Sequence, residues 1–97
     1  MIRSFKGDLA RIIAYPGAGL VGIAISKKIG SKPRRNRLKR RFRAAIDSNS
    51  EFLDRRLDYV VVVNAEAAEA SFEKIDAEVK TVFAGVNQRW AAELESS

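Results

Sequence analysis

Tyr59 is followed by four consecutive valines, and no other stretch of this 97-residue chain restricts its fold so tightly. An unbroken β-branched run favours a strand, and side chains on a strand alternate between its faces. Asp58 to Asn64 is thus apolar on both faces, which predicts a central strand covered on both sides. Two shorter β signals precede it. Leu9 to Tyr15 is one; Leu20 to Ser26 is the other, with Val21, Ile23 and Ile25 on one face and small residues on the opposite one. Pro16-Gly17-Ala18-Gly19 between them has turn chemistry, which predicts that the two pair as an antiparallel hairpin.

After Gly30 the apolar period changes from two to between three and four. Leu38, Phe42, Ala45 and Ile46 fall within an arc of roughly 100° on a helical wheel, which predicts a helix with one narrow stripe to lay on the sheet. Pro33 suits its first turn, where a missing N–H costs nothing. Ser48 to Arg56 reads as a polar connector with a short helical turn through Ser50 and Glu51. From about Ser71, Phe72, Ile75, Val79, Val82, Phe83, Val86, Trp90 and Leu94 recur at three and four, marking a long amphipathic helix with a bend expected at Gly85. The order β-β-α-β-α describes a single α+β domain over residues 1–97, a small α/β sandwich with a sheet of at least three strands.

Neither cysteine nor histidine occurs, so a disulfide framework, a thiolate zinc site and the usual general base are all excluded. No apolar run approaches the ~20 residues that span a bilayer, and no signal-peptide pattern opens the chain. The expectation is a cytoplasmic protein without a membrane partner.

Charge is distributed unevenly. Lys27 to Arg43 holds ten of the eighteen basic residues and no acidic one, so the remainder carries −4 while the whole chain carries +6. A local cationic surface on a mildly acidic body is the footprint of a protein that docks on a polyanion. Lys32, Arg34 and Arg35 lie in the first turn of the predicted helix, where each cation opposes the macrodipole at about 0.3–1 kcal/mol. Like charges three and four apart add a few tenths of a kcal/mol per pair, roughly, with no acid to relieve them before Asp47. A helix shaped for its own stability would mix signs. From Arg34 to Arg43 there are six Arg to one Lys, and the planar guanidinium makes paired hydrogen bonds to phosphate. On the wheel, Asn36, Lys39, Arg40 and Arg43 form one exposed face, while Arg34, Arg37 and Arg41 flank the stripe on its other side. Asn36, a neutral donor and acceptor in an arginine run, suits a base edge, a 2′-hydroxyl or the waters of a hydrated metal; a local cap for the first turn is its other reading.

The stretch Ile23 to Arg43 resembles the signature of the protein subunit of bacterial ribonuclease P. The residues that carry the resemblance are Ser26, Lys27, Lys28, Gly30, Arg35, Asn36, Arg37, Leu38, Lys39, Arg40 and Arg43, followed by the run from Asp58 to Val63 and the closing amphipathic helix. The resemblance implies an α/β sandwich, like that of a ribosomal protein domain, with a left-handed β-α-β crossover through the basic helix. It implies an endonuclease, a hydrolase that removes the 5′ leader from precursor tRNA, in which a large RNA is the catalyst and this chain a non-catalytic subunit. The partners so implied are the ribonuclease P catalytic RNA and precursor tRNA, with no obligatory protein partner and with Mg²⁺ held mainly by the RNA. Lys27, Lys28, Arg35, Asn36, Arg37, Lys39, Arg40 and Arg43 would contact that RNA, joined by Arg34 from the same basic helix. Family members carry an N-terminal helix with phenylalanines; here Met1 to Gly7 stands where it should end. Phe5 and Tyr15 are the aromatic candidates for the cleft that holds the single-stranded leader, with packing in the core as the other and favoured reading of each.

The competing reading is a general structured-RNA-binding or ribosome-associated protein that uses the same helix as a phosphate clamp. A helix-turn-helix is disfavoured because no short helix precedes the basic one. A membrane-surface role is weaker, since the narrow apolar stripe is needed for the core. Glu66, Glu69, Glu73 and Asp76 cluster near the start of the last helix, where acids suit the dipole, and read as solubilising rather than metal-binding.

Overall fold

The computed structural model describes residues 2–96. Four strands, β1 (Arg3–Lys6), β2 (Ala10–Pro16), β3 (Val21–Ile25) and β4 (Leu57–Val63), and two helices, α1 (Lys32–Ser48) and α2 (Phe72–Ser96), are joined with short 3₁₀ turns at 27–29, 50–52 and 65–69. The sheet order is β1-β2-β4-β3. The valine run is central, as expected: β4 pairs antiparallel with β2, Ile12 opposite Val61, and parallel with β3, Ile23 opposite Val61. Because β3 and β4 are parallel neighbours, α1 is the crossover of a β-α-β unit.

The expected hairpin between the first two β signals does not form, because β4 lies between β2 and β3. Asp58 at the start of β4 is the local reason. Its Oδ1 accepts from Ala18 N at 2.8 Å and Leu20 N at 2.9 Å, while Gly17 N donates to Arg56 O at 2.9 Å and Gly19 N to Leu57 O at 2.8 Å. The Pro-Gly-Ala-Gly turn is therefore bound to the strand it wraps around. The antiparallel partner that β2 takes on its other edge is β1, which the sequence reading missed; four residues are too few to show a period.

Both helices lie on one face of the sheet. Leu38, Phe42, Ala45 and Ile46 are the buried residues of α1, the same four that form its predicted stripe. From α2, Ile75, Val79, Val82, Phe83, Val86 and Trp90 are buried against Ala10, Ile12, Ala14, Tyr59, Val61 and Val63. Phe72, assigned to that stripe, is 43% exposed, and the Leu94 side chain lies outside the described residues. α2 runs through Gly85 without a break in its helical assignment. Glycine is there for proximity: a Cβ would run into the Phe5 ring.

The far face of the sheet is uncovered. Burial alternates strictly along β4, with Leu57, Tyr59, Val61 and Val63 buried and Asp58, Val60 and Val62 only half-buried. A strand covered on both sides was expected; helices on one side only explain the difference. Half-buried Ile13 and Tyr15 share the open face with Val60 and Val62.

Polar ties fix the helices to the sheet. The Glu78 carboxylate, 8% exposed, accepts from Leu9 N at 2.6 Å and Ala10 N at 2.9 Å, closing the β1–β2 turn from α2. Tyr59 donates its hydroxyl hydrogen to Asn87 at 2.8 Å, and Asn87 donates to Phe52 O at 2.6 Å. Among the described residues no helix is long and apolar enough to cross a membrane.

Candidate nucleic-acid interface

The basic segment begins where β3 ends. Ser26 caps the turn Lys27–Ile29 by accepting from Lys28 N at 3.2 Å, and Ile29 is buried, so Lys27 and Lys28 are held outward. Gly30 then takes φ 139°, ψ −156°, a conformation essentially reserved for glycine, which turns the chain into α1. Ser31 is the N-cap residue and Pro33 sits in the first turn. That turn contains no acid, as the sequence requires. Asn36 does not cap the helix; it is exposed beyond the first turn, which leaves its amide available to a ligand.

The apolar anchor of α1 is its four-residue stripe, and from Lys32 to Arg43 most of the remaining circumference is cationic. Arg35, Asn36 and Lys39, with Lys32, line a groove against Ile23 and Ile25 of β3. Around the helix, Asn36, Lys39, Arg40 and Arg43 with Pro33 border a shallow hollow. Arg43 is half-buried and braced, its Nη2 donating to Val21 O at 3.1 Å. Arg34 and Arg37 are not part of this face. They lie on the opposite flank with Arg41, facing the 65–69 turn. The nine candidate residues are thus divided: Arg35, Asn36, Lys39, Arg40 and Arg43 on the β3 side, Arg34 and Arg37 on the side of the 65–69 turn, and Lys27 and Lys28 ahead of the helix. Arg41 and Lys32 were not among the candidates, although the spacing 34, 37, 41 is itself a helical row.

The two aromatic candidates are separated. Phe5 points under α2, its ring 5.2 Å from the Arg89 guanidinium carbon and packed against Gly85, whereas Tyr15 lies on the open face of the sheet. They do not line one cleft. Exposed Lys6 and Arg11, opposite each other on β1 and β2, share the open face with Tyr15; only the pairing with the unforeseen β1 reveals them.

The acids near α2 do not converge. Glu69 pairs with Arg34 at 3.2 Å, Asp76 pairs with Lys80 at 3.2 Å and accepts from Asn49, and Glu66 borders a different hollow, with Lys6 and Lys28. Among the described residues no group of three or more carboxylates is placed to hold a metal ion, so the side chains do not fit a protein-held Mg²⁺ site.

A one-sided, four-stranded mixed sheet with an arginine-rich crossover helix places the chain among small α+β proteins, here one with a strongly cationic helix. A family model described as Ribonuclease P matches residues 5–87. The chain belongs to the ribonuclease P protein family. It is 35% identical over 63 residues to the ribonuclease P protein component of Bacillus cereus (strain G9842), covering 65% of this chain and 55% of that protein. To that of Bacillus anthracis (strain CDC 684 / NRRL 3495) it is 33% identical over 63 residues, covering 65% and 53%. The chain thus matches just over half the length of these curated relatives. The fold matches the ribonuclease P protein from Thermotoga maritima with TM-score 0.75 at 20% identity, over 82% of this chain and 79% of that one. The Staphylococcus aureus protein gives 0.70 at 20%, over 84% and 77%.

Proposed function

We propose that this chain is the protein component of a ribonuclease P ribonucleoprotein, acting in the cytoplasm, and that α1 binds its catalytic RNA while precursor tRNA loses its 5′ leader. The observation that carries the reading is the segment from Lys27 to Arg43: ten cations without an acid, eight of them on α1, a helix that buries only four residues in the core. A phosphate-dense RNA offsets the repulsion that such a helix carries in isolation. Arg35, Asn36, Lys39, Arg40 and Arg43 form one contact face; Lys27 and Lys28 extend it. The open sheet face, with Tyr15 as a stacking ring and Lys6 and Arg11 beside it, suits a single strand such as the leader. Phe5 has no part in that cleft. Mg²⁺ belongs to the RNA in this reading, and the chain supplies charge and position rather than a nucleophile.

The test is reconstitution with a bacterial ribonuclease P RNA, measuring precursor tRNA cleavage at low millimolar Mg²⁺. The expected result is stimulation over RNA alone. Salt-sensitive RNA binding without stimulation would favour a general RNA-binding protein instead.

A further inference from the structure

α1 has two cationic flanks, and the contact face described above uses only one. The other borders a cavity of about 260 Å³ between α1 and the 65–69 turn, with Arg34, Arg37 and Arg41 on one wall and Glu69 on the other. Its floor is apolar, built from buried Ile29 and Leu38. At about 30 Å³ per water, the space admits a phosphate group with part of its hydration.

We propose that this cavity is a second phosphate site, one that takes a phosphodiester from a strand other than the one lying on the Asn36 face, and that Glu69 occupies it in the free protein as a stand-in anion. The inference rests on the RNA-binding reading of α1 and extends it to regulation of that helix. Three guanidiniums face one carboxylate, so the cavity keeps a net charge of about +2 with Glu69 in place. Their donors are mostly unspent: Arg34 gives one hydrogen bond to Glu69 at 3.2 Å, Arg41 gives one long contact to Ala70 O at 3.5 Å, and Arg37 has no protein partner among the described residues. The Arg34–Glu69 pair is weakly held, its side chains 62% and 85% exposed, and such surface pairs contribute little. The two non-bridging oxygens of a phosphodiester, which share one negative charge, match the guanidinium fork better than the single Glu69 oxygen that Arg34 contacts. Glu69 therefore swings out when a phosphate enters, and α1 is gripped from both sides.

Glu66 provides the control, because it sits on the same turn but borders a different hollow. Glu66→Gln and Glu69→Gln remove the same charge at nearly the same place, so long-range attraction rises equally in both. Anisotropy titrations with ribonuclease P RNA should show Glu69→Gln binding about two- to fivefold tighter than Glu66→Gln. That gain should vanish when Arg34 and Arg41 are both glutamine. Equal affinities for the two variants, or a gain that survives loss of the arginines, would overturn the proposal. Titration of the free protein with inorganic phosphate, followed at the side-chain Nε–H resonances of Arg34, Arg37 and Arg41, separates this idea from the RNA-binding reading. If the chain binds no RNA, saturating shifts at those three arginines, at lower phosphate in Glu69→Gln than in wild type, still support the cavity; their absence refutes it.

Discussion

Replacing Arg35 and Arg37 together by alanine should weaken RNA binding without unfolding the protein, and the structure sets the scale of both effects. Neither guanidinium has a hydrogen bond or ion pair with the protein among the described residues, so no native partner is orphaned. The change removes a first-turn cation at Arg35, worth about 0.3–1 kcal/mol. It also relieves Arg35 against Lys32 and Lys39, and Arg37 against Arg34, Arg40 and Arg41, at about 0.2–0.5 kcal/mol per pair in an isolated helix at low salt. Opposing this is the lost packing of the half-buried Arg35 stem over Ile23 and Ile25. On a solvated surface the charge gains stay near the low end of these ranges, and the stem, at about 0.8 kcal/mol per buried CH₂, takes back about 1 kcal/mol, so the net is about 0–1 kcal/mol of added stability in dilute buffer, raising Tm by at most about 4–8 °C, a gain that shrinks as salt screens the charges. For RNA, Arg35 supplies a phosphate contact on the Asn36 face and Arg37 one on the cavity flank, and losing both should lower the slope of log K against log salt by about 1.4–1.8. Thermal melts at 20 mM and 1 M salt, paired with anisotropy titrations over the same range, read both quantities. A Tm lowered by more than about 4 °C, or a salt slope that does not move, would refute the reasoning.

Three further expectations follow from the fold. Glu78→Ala strands the N–H groups of Leu9 and Ala10 at the β1–β2 turn and should cost about 2–4 kcal/mol in urea unfolding, with Glu78→Gln costing less because it keeps an acceptor; equal stability would show that water satisfies the turn. Gly85→Ala would gain about 1 kcal/mol in an exposed helix, but here the methyl meets the Phe5 ring, and overpacking at about 1–3 kcal/mol should win; a rise in Tm would mean that the ring moves aside freely. The N–H groups of Ala18 and then Leu20 hold the Asp58 carboxyl below its ordinary value of 3.8, so its contribution is present above that value and is lost as pH falls through the depressed one. Asp58→Asn should therefore flatten part of the decline in Tm below about pH 4, a decline to which Asp54 and Asp76, also lowered, contribute in the same sense; an unchanged acid limb would refute this.

The helices and the central strand could be read from the chain because each repeats a local rule often enough to be seen. Leu38, Phe42, Ala45 and Ile46 are spaced for one face of a helix and nothing else, and five consecutive β-branched or aromatic residues have few homes besides a strand. The division of α1 into an Asn36 face and an Arg34, Arg37, Arg41 flank is likewise a matter of 3.6 residues per turn. Pairing is different. The strand nearest in sequence to β3 is β2, and turn residues separate them, yet the Asp58 carboxylate ties that turn to a strand about forty residues away. Which of two β edges a strand joins depends on hydrogen bonds between distant segments, and local composition does not encode it.

What the sequence determined by itself is therefore three of the four strands, both helices, the order of those five elements and the cationic face of α1, since these follow from periodicity and charge along one segment. Only the tertiary structure decided that both helices share one face, leaving Tyr15, Val60 and Val62 on an uncovered sheet. Only it turned Phe5 under α2, paired Lys6 with Arg11, and brought Glu69 to Arg34. Each depends on two segments meeting in space, and the free energy of that meeting resides in contacts that neither segment makes alone.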